Sequence, residues 1–300
     1  MRLREDTLDM FYGTAFQAVR PFKTQLLKWI GNKQRFAHEI AAYFPTDIAT
    51  YREPFLGSGA VLAALQPPSA VASDIFPPLI EIWQKLHDDP AMLVSWYRER
   101  FALYHRSAKP DGYNTIRDSY NAGPNGADLL FLCRSCYGGV VRFRKGDGYM
   151  STPCGAHAPI TPESFAERVE IWRRRTQGTQ FRCQDFALAF ADAKAGDLIY
   201  CDPPYSDSQT ILYGGQAFSL PRLFQVIGEA KARGVRIALS IDGTKKSGDK
   251  LCSLDVPDGL FEREIFVDCG RSMLRRFQKS GKTLEDEVVS DRLLTTYSLP

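Results

Sequence analysis

The sequence predicts an α/β fold, a mostly parallel sheet covered by helices on both faces and interrupted by one inserted subdomain. Three observations predict it. Short apolar segments recur along the 300 residues and end in turns rich in glycine, proline and aspartate. Segments with apolar residues at helical spacing lie between them, the alternation expected of parallel strands joined by crossover helices. One stretch, 90–177, breaks the alternation with aromatics, arginines and glycine-rich turns. The expected division is therefore 1–89 with 178–300 for the sheet domain, and 90–177 for the insert.

The elements follow in order. The opening MRLREDTLDMFYG carries acids where a secretory signal needs an apolar run, and no apolar run approaches the roughly 18–20 residues of a membrane span. A cytoplasmic protein with no membrane partner is expected. LLKWIGNK, Leu26 to Lys33, is a compact polar-aromatic turn in which Trp29 reads equally well as a core residue. Gln34 to Tyr43 and Leu79 to Leu86 have helical apolar spacing, while Ala49 to Glu53 and Ala70 to Asp74 read as strands. After the insert, Gln180 to Cys183, Leu198 to Cys201 and Val235 to Ile241 continue the sheet. Phe261 to Val267 and Arg292 to Tyr297 then read as an antiparallel pair joined by a long basic loop. In sheets of this kind ligands sit outside the carboxyl ends of the strands, where the polar turns fall.

Two of those turns carry chemistry. EPFLGSGA, Glu53 to Ala60, follows a strand and precedes a helix. Gly57 and Gly59 let the backbone turn tightly and approach a ligand, although two glycines at this spacing also occur in plain turns. Asp74, ending the next strand in VASDIF, is placed to accept hydrogen bonds from ribose hydroxyls. The pattern is ExxxGxG, not GxGxxG, which points away from a pyrophosphate and toward a nucleoside carrying an amino acid. The second turn is LIYCDPPY, Leu198 to Tyr205. Pro203 and Pro204 remove N–H donors and expose carbonyl acceptors, so Asp202 and the Pro203 carbonyl can both accept from one planar NH₂. Tyr205 offers a ring face for stacking. A tight turn after a strand explains the prolines but does not require the flanking acid and tyrosine.

Composition sets limits. The net charge is only +3, so total charge does not announce a nucleic-acid binder, but basic residues cluster. Arg142, Arg144 and Lys145 form one cluster, Arg173 to Arg175 a second, and Arg271, Arg275, Arg276, Lys279 and Lys282 a third. Such clusters are either solvated faces or phosphate contacts. Seven cysteines, an odd number in a chain of this size, fit free thiols better than a disulfide framework.

DPPY at a strand end, EPFxGxG upstream and a KWxGxK segment before that resemble, in this order, the amino-group DNA methyltransferases of the α group. The resemblance extends over about residues 24–300 and is to the adenine-N6 enzymes of the D12 class, which includes GATC methylases. It implies a seven-stranded methyltransferase sheet of Rossmann-like type, S-adenosyl-L-methionine as cofactor and double-stranded DNA as partner. By match, Lys28, Trp29, Gly31 and Lys33 would surround the methionine end of the cofactor. Glu53, Pro54, Phe55, Gly57 and Gly59 would line its centre, Asp74 its ribose, and Asp185 with Phe186 its adenine. Asp202, Pro203, Pro204 and Tyr205 would hold a target adenine flipped out of the duplex. A bacterial, phage or mobile-element origin, a cognate restriction endonuclease as a further partner, and a monomer or weak dimer go with the same resemblance.

The insert resembles the target-recognition region of that family. LFLCRSCYGGVVRFRKGDGYMSTPCG departs from its pattern LNRxxFNGxxRxNxxGxFNVPxG at Cys133, Gly138, Arg144 and Ser151. The departures leave the catalytic assignment intact and argue against a GATC target. Tyr137, Arg142, Arg144 and Lys145 are the DNA-binding candidates here, with Arg271, Arg275 and Arg276 in the C-terminal loop. Arginine forks suit guanine edges and lysine suits phosphate. Cys133-x₂-Cys136 followed by Cys154-x₂-His157 has the spacing of a zinc site. Against it, the first pair lies in a helical run and Cys133 replaces a non-ligand asparagine, so reduced thiols and no metal are expected. Two other activities, N4-cytosine methylation and RNA adenine methylation, remain alternatives, as does a catalytically inactive DNA-binding module.

Overall fold

A computed structural model of the chain describes residues 19–204, 218–242, 244–245, 250–251, 256–271 and 288–298. The sheet strands are β1 (Tyr51–Glu53), β2 (Ala70–Asp74), β3 (Thr179–Cys183), β4 (Leu198–Cys201) and β5 (Arg236–Asp242). A short pair, β6 (Thr244–Lys245) with β7 (Lys250–Leu251), precedes the final strands β8 (Arg263–Arg271) and β9 (Val288–Thr295). Seven strands form one sheet in the order β3-β2-β1-β4-β5-β9-β8. Strands β1 to β5 pair in parallel, and β9 runs antiparallel between β5 and β8. The expected seven-stranded sheet is therefore present; six of its strands start within two residues of the expected segments, while β9 starts at Val288, four residues before the expected Arg292.

The central strands β1, β2 and β4 are buried along their whole length. That is why β2 and β4 read as apolar runs and not as alternating ones, whereas β1 buries Arg52 against Asp197 and Glu53 against Tyr51. Their order matters more for function. The chain winds from β1 outward through β2 to β3, then returns to place β4 on the other side of β1, pairing Tyr51 with Leu198 and Arg52 with Ile199. The direction of winding reverses between β1 and β4, and the crevice outside their carboxyl ends is the expected ligand position.

Helices begin where the sequence supplies caps. In chain order they are α1 (Ala37–Ala42), α2 (Ala60–Leu65), α3 (Pro77–Asp88), α4 (Pro90–Arg106), α5 (Asp111–Ala122), α6 (Gly126–Ser135), α7 (Pro162–Arg175), α8 (Phe186–Ala191) and α9 (Leu220–Ala232). Asp89, Asn125, Thr161, Asp185 and Ser219 each accept a backbone N–H of the following first turn, and prolines open α3, α4, α7 and α9.

Helices α4 to α7 and the segment 136–154 make up the stretch expected as an insert. They pack on the same hydrophobic core as the sheet: Trp172 of α7 lies 5.4 Å from Trp83 of α3 and 5.4 Å from Phe22, ring centroid to centroid. Within the stretch Tyr97 stacks on Phe165 at 4.2 Å. The basic run at the end of α7 is structural in part. Arg175 lies 4.0 Å above the Phe22 ring and donates to the Ala63 carbonyl, while Arg173 and Arg174 pair with Glu170. Among the described residues no helix is long and apolar enough to cross a membrane.

Candidate active site

The parallel strands deliver one acidic residue each to the same edge of the sheet. Glu53 ends β1, Asp74 ends β2, Asp185 follows β3 and Asp202 follows β4. Each is held by a different local device.

Glu53 is buried, and its Oε2 accepts from the Tyr51 hydroxyl at 2.7 Å and from the Leu62 N–H at 3.1 Å. The second bond replaces a missing cap. Gly59 is the N-cap of α2 and has no side chain to offer, so the carboxyl from the preceding strand satisfies a first-turn donor. No described group bonds Oε1. Burial pushes the Glu53 carboxyl up to about 8, and the nearby Asp202 charge adds to this against the opposing bonds from Tyr51 and Leu62.

Asp74 closes the other side of the same loop. Its Oδ2 accepts from Gly57 N–H at 3.1 Å and its Oδ1 from Phe76 N–H at 3.2 Å. Burial raises its carboxyl to about 6, opposed by those N–H bonds. Gly57 and Gly59 have φ of +47° and +62°, a region that costs a residue with a Cβ about 1–2 kcal/mol. A Cβ on Gly57 would stand 3.2 Å from Trp29 Cδ1, and one on Gly59 3.1 Å from the Trp83 ring. Trp83 also donates Nε1–H to the Gly57 carbonyl at 3.2 Å. The loop is thus pressed between two indoles.

Asp202 forms an ion pair with Lys33 at 3.0 Å, and both side chains are largely buried. Lys33 therefore pairs with the acid of the DPPY turn, whereas the motif assigned it to the methionine end of a cofactor. Its segment is tied down from α6 and α7: Arg134 donates to the Gln25 and Leu26 carbonyls, Arg168 to Gln25, and Trp172 to Thr24. Trp29 is buried and packs 6.2 Å from Phe76, so it is both a core residue and a wall of the glycine loop. Gly31 turns at φ +72°. Lys28 is exposed and lies along Gly139.

On the β3 side, Phe186 stacks on Phe55 at 5.3 Å and Phe218 closes the cluster at 5.8 Å from Phe55 and 6.0 Å from Phe186. Arg222 donates to both Asp185 oxygens at 2.8 and 3.0 Å and lies 4.9 Å over the Phe186 ring. Pro54 and Pro203 are buried and Pro204 is half-buried, while Tyr205 lies outside the described residues.

The DNA-binding candidates divide. Tyr137, Arg142, Arg144 and Lys145 are exposed on the segment after α6. Arg271 lies in β8, described by its backbone, and Arg275 and Arg276 lie outside the described residues. Buried Phe143 packs 5.8 Å from Phe76, two residues beyond Asp74, so this segment is anchored at the acidic edge of the sheet.

The cysteines of the zinc spacing turn to their own backbone. Cys133 Sγ donates to the Leu130 carbonyl, Cys136 Sγ to Cys133 and Cys154 Sγ to Gly155. Burial pushes the Cys133 and Cys136 thiols up to about 11 and 12. Among the described residues no three His, Cys, Asp or Glu side chains gather as a metal set.

Sequence reasoning missed Tyr51, Trp83, Arg134 and Arg222. Tyr51 was findable, since strand period 2 puts it on the same face as Glu53. Arg222 carries no local signal.

Residues 29–246 match the family described as D12 class N6 adenine-specific DNA methyltransferase. The chain is 32% identical to the retron Ec67 DNA adenine methylase of Escherichia coli over 187 residues, which are 60% of this chain and 63% of that protein. It is 26% identical to the DNA N-6-adenine-methyltransferase of Escherichia phage P1, over 74% of this chain and 30% of the phage protein. The DNA adenine methylase of Vibrio cholerae is 27% identical over 71% of this chain and 79% of its own length. The chain thus spans less than two thirds of the first two relatives.

Proposed function

We propose, for a chain that belongs to the D12 class N6 adenine-specific DNA methyltransferases, transfer of a methyl group from S-adenosyl-L-methionine to the N6 amine of an adenine flipped out of duplex DNA. The observation that carries the reading is the convergence of Glu53, Asp74, Asp185 and Asp202 on one sheet edge at the β1/β4 reversal, beside a glycine loop walled by indoles.

The residues fit the proposed donor. Gly57 and Gly59 take the positive φ that lets the loop turn tightly at the sheet edge, Glu53 Oε1 suits an ammonium, and the buried Asn32 Nδ2, without a partner among the described residues, suits a carboxylate. Asp74 retains lone pairs for ribose hydroxyls beyond its two backbone bonds. Phe55, Phe186 and Phe218 suit the flat face of an adenine. When bound, S-adenosyl-L-methionine supplies a sulfonium methyl group for in-line transfer.

On the target side, Asp202 and the Pro203 carbonyl accept the two hydrogens of the exocyclic amine and turn its lone pair toward the methyl. Lys33 holds the Asp202 carboxylate in place. Positioning contributes most of the rate in such a transfer, because the amine needs orientation more than a strong base. Residues 90–177 provide target recognition, with Arg142, Arg144 and Lys145 facing DNA. Tyr205 stacks on the flipped base, and Arg271, Arg275 and Arg276 contact phosphate.

The test is product analysis. Purified protein, S-adenosyl-L-methionine and mixed-sequence duplex DNA should give N6-methyldeoxyadenosine after digestion to nucleosides. N4-methyldeoxycytidine, or no methylated nucleoside, would contradict the reading.

A further inference from the structure

The segment after α6 turns back on itself at 144–149: Arg144 N–H donates to the Tyr149 carbonyl at 2.9 Å and Gly148 N–H to the Arg144 carbonyl at 3.0 Å. Side chains alternate along it as strand geometry requires, Phe143 buried between exposed Arg142 and Arg144. Where the resembling family commonly has asparagine, this chain has Arg144, and its guanidinium is not loose. Nε and Nη2 donate to the two carboxylate oxygens of Asp147, Nε at 3.1 Å. One face lies 4.3 Å from the centroid of the Tyr149 ring. Tyr149 is itself fixed, its N–H on Asp147 at 3.1 Å and its hydroxyl on Asp118 at 3.1 Å.

An exposed ion pair of this kind adds little to fold stability. Both side chains are 55% exposed, so what the pairing supplies is direction. A guanidinium has five N–H donors in a rigid plane. Asp147 takes the edge formed by Nε and Nη2, which leaves Nη1 and the second Nη2 hydrogen as a parallel pair on the outer edge. Two parallel donors match N7 and O6 of guanine in the major groove. Adenine offers one acceptor and one donor there and does not match. A phosphate contact would need no such fixing, and Lys145 beside it already suits phosphate.

Resting on the proposed DNA reaction, we infer that Arg144 reads a guanine of the recognition sequence and that Asp147 is the positioning residue that holds its fork. The experiment expresses the wild type, Arg144→Lys, Asp147→Asn and Asp147→Glu in cells without adenine methylation of their own. Modification-sensitive sequencing then gives the methylated sites. The wild-type site should contain one G·C pair at which Arg144→Lys and Asp147→Asn lose about tenfold to a hundredfold of discrimination, with the other positions kept. Asp147→Glu should restore part of that preference. Arg144→Lys keeping wild-type discrimination at every position would overturn the inference, and so would a uniform loss at all positions, which marks a phosphate contact. A wild type that leaves no N6-methyladenine would bring down the proposed reaction and this inference with it. An unmoved recognition site overturns the inference alone.

Discussion

Replacing Glu53 with glutamine should stabilise the free protein at neutral pH while weakening it as an enzyme. The carboxyl is buried and its folded value lies near 8, against an ordinary 4.5. A raised carboxyl is protonated in the fold while the unfolded chain has already ionised. Its contribution is therefore fully present below 4.5 and lost as pH rises through about 8. At pH 7 the chain folds about 2.5 pH units above the unfolded carboxyl, which costs about 3 kcal/mol at roughly 1.4 kcal/mol per unit. A glutamine pays nothing of this kind, and its amide oxygen can still accept from Tyr51 and Leu62. Urea unfolding of both proteins from pH 5 to pH 8.5 checks it. The variant should be nearly equal to wild type at pH 5 and more stable by about 3 kcal/mol near pH 7. Titration of Asp74 cancels in the difference. In the same variant, donor affinity should fall because an amide cannot ionise to meet an ammonium. A stability difference that stays flat with pH would refute the claim that the buried Glu53 carboxyl is protonated in the fold at neutral pH.

Gly57→Ala places a Cβ at φ +47° and 3.2 Å from Trp29, so it should lose about 1–2 kcal/mol of stability and most donor affinity, read by calorimetry. Phe143→Ala removes the anchor between Phe76 and Tyr120 and should cost about 3–5 kcal/mol in melting experiments, with DNA affinity falling in band-shift assays. Arg222→Ala, at an exposed pair, should change stability by less than about 1 kcal/mol, yet weaken donor binding because Asp185 and the Phe186 face lose their partner.

The sheet was legible because β2 and β4 are buried on both faces and so read as apolar runs ending in polar turns. The glycine loop and DPPY were legible because a turn at a strand end leaves a local mark. Pairings distant in sequence left none. Lys33 looked like part of a cofactor motif, and only the return of β4 beside β1 brings it to Asp202. Arg222 reaches Asp185 from the start of α9, and neither residue hints at the other. The three arginines ending α7 read as a basic patch, yet Arg175 is spent on Phe22 and Ala63 inside the fold. Charge clusters report composition, whereas partners depend on packing.

The central claim is that Asp202 holds the target amine and not the donor. Single-turnover methyl transfer to duplex DNA by Asp202→Ala, with donor affinity measured on the same preparation, tests it most directly. The account predicts a transfer rate reduced by a factor of about a hundred or more with donor affinity within a few-fold of wild type. Transfer at the wild-type rate, or a loss traceable entirely to donor binding, would contradict it.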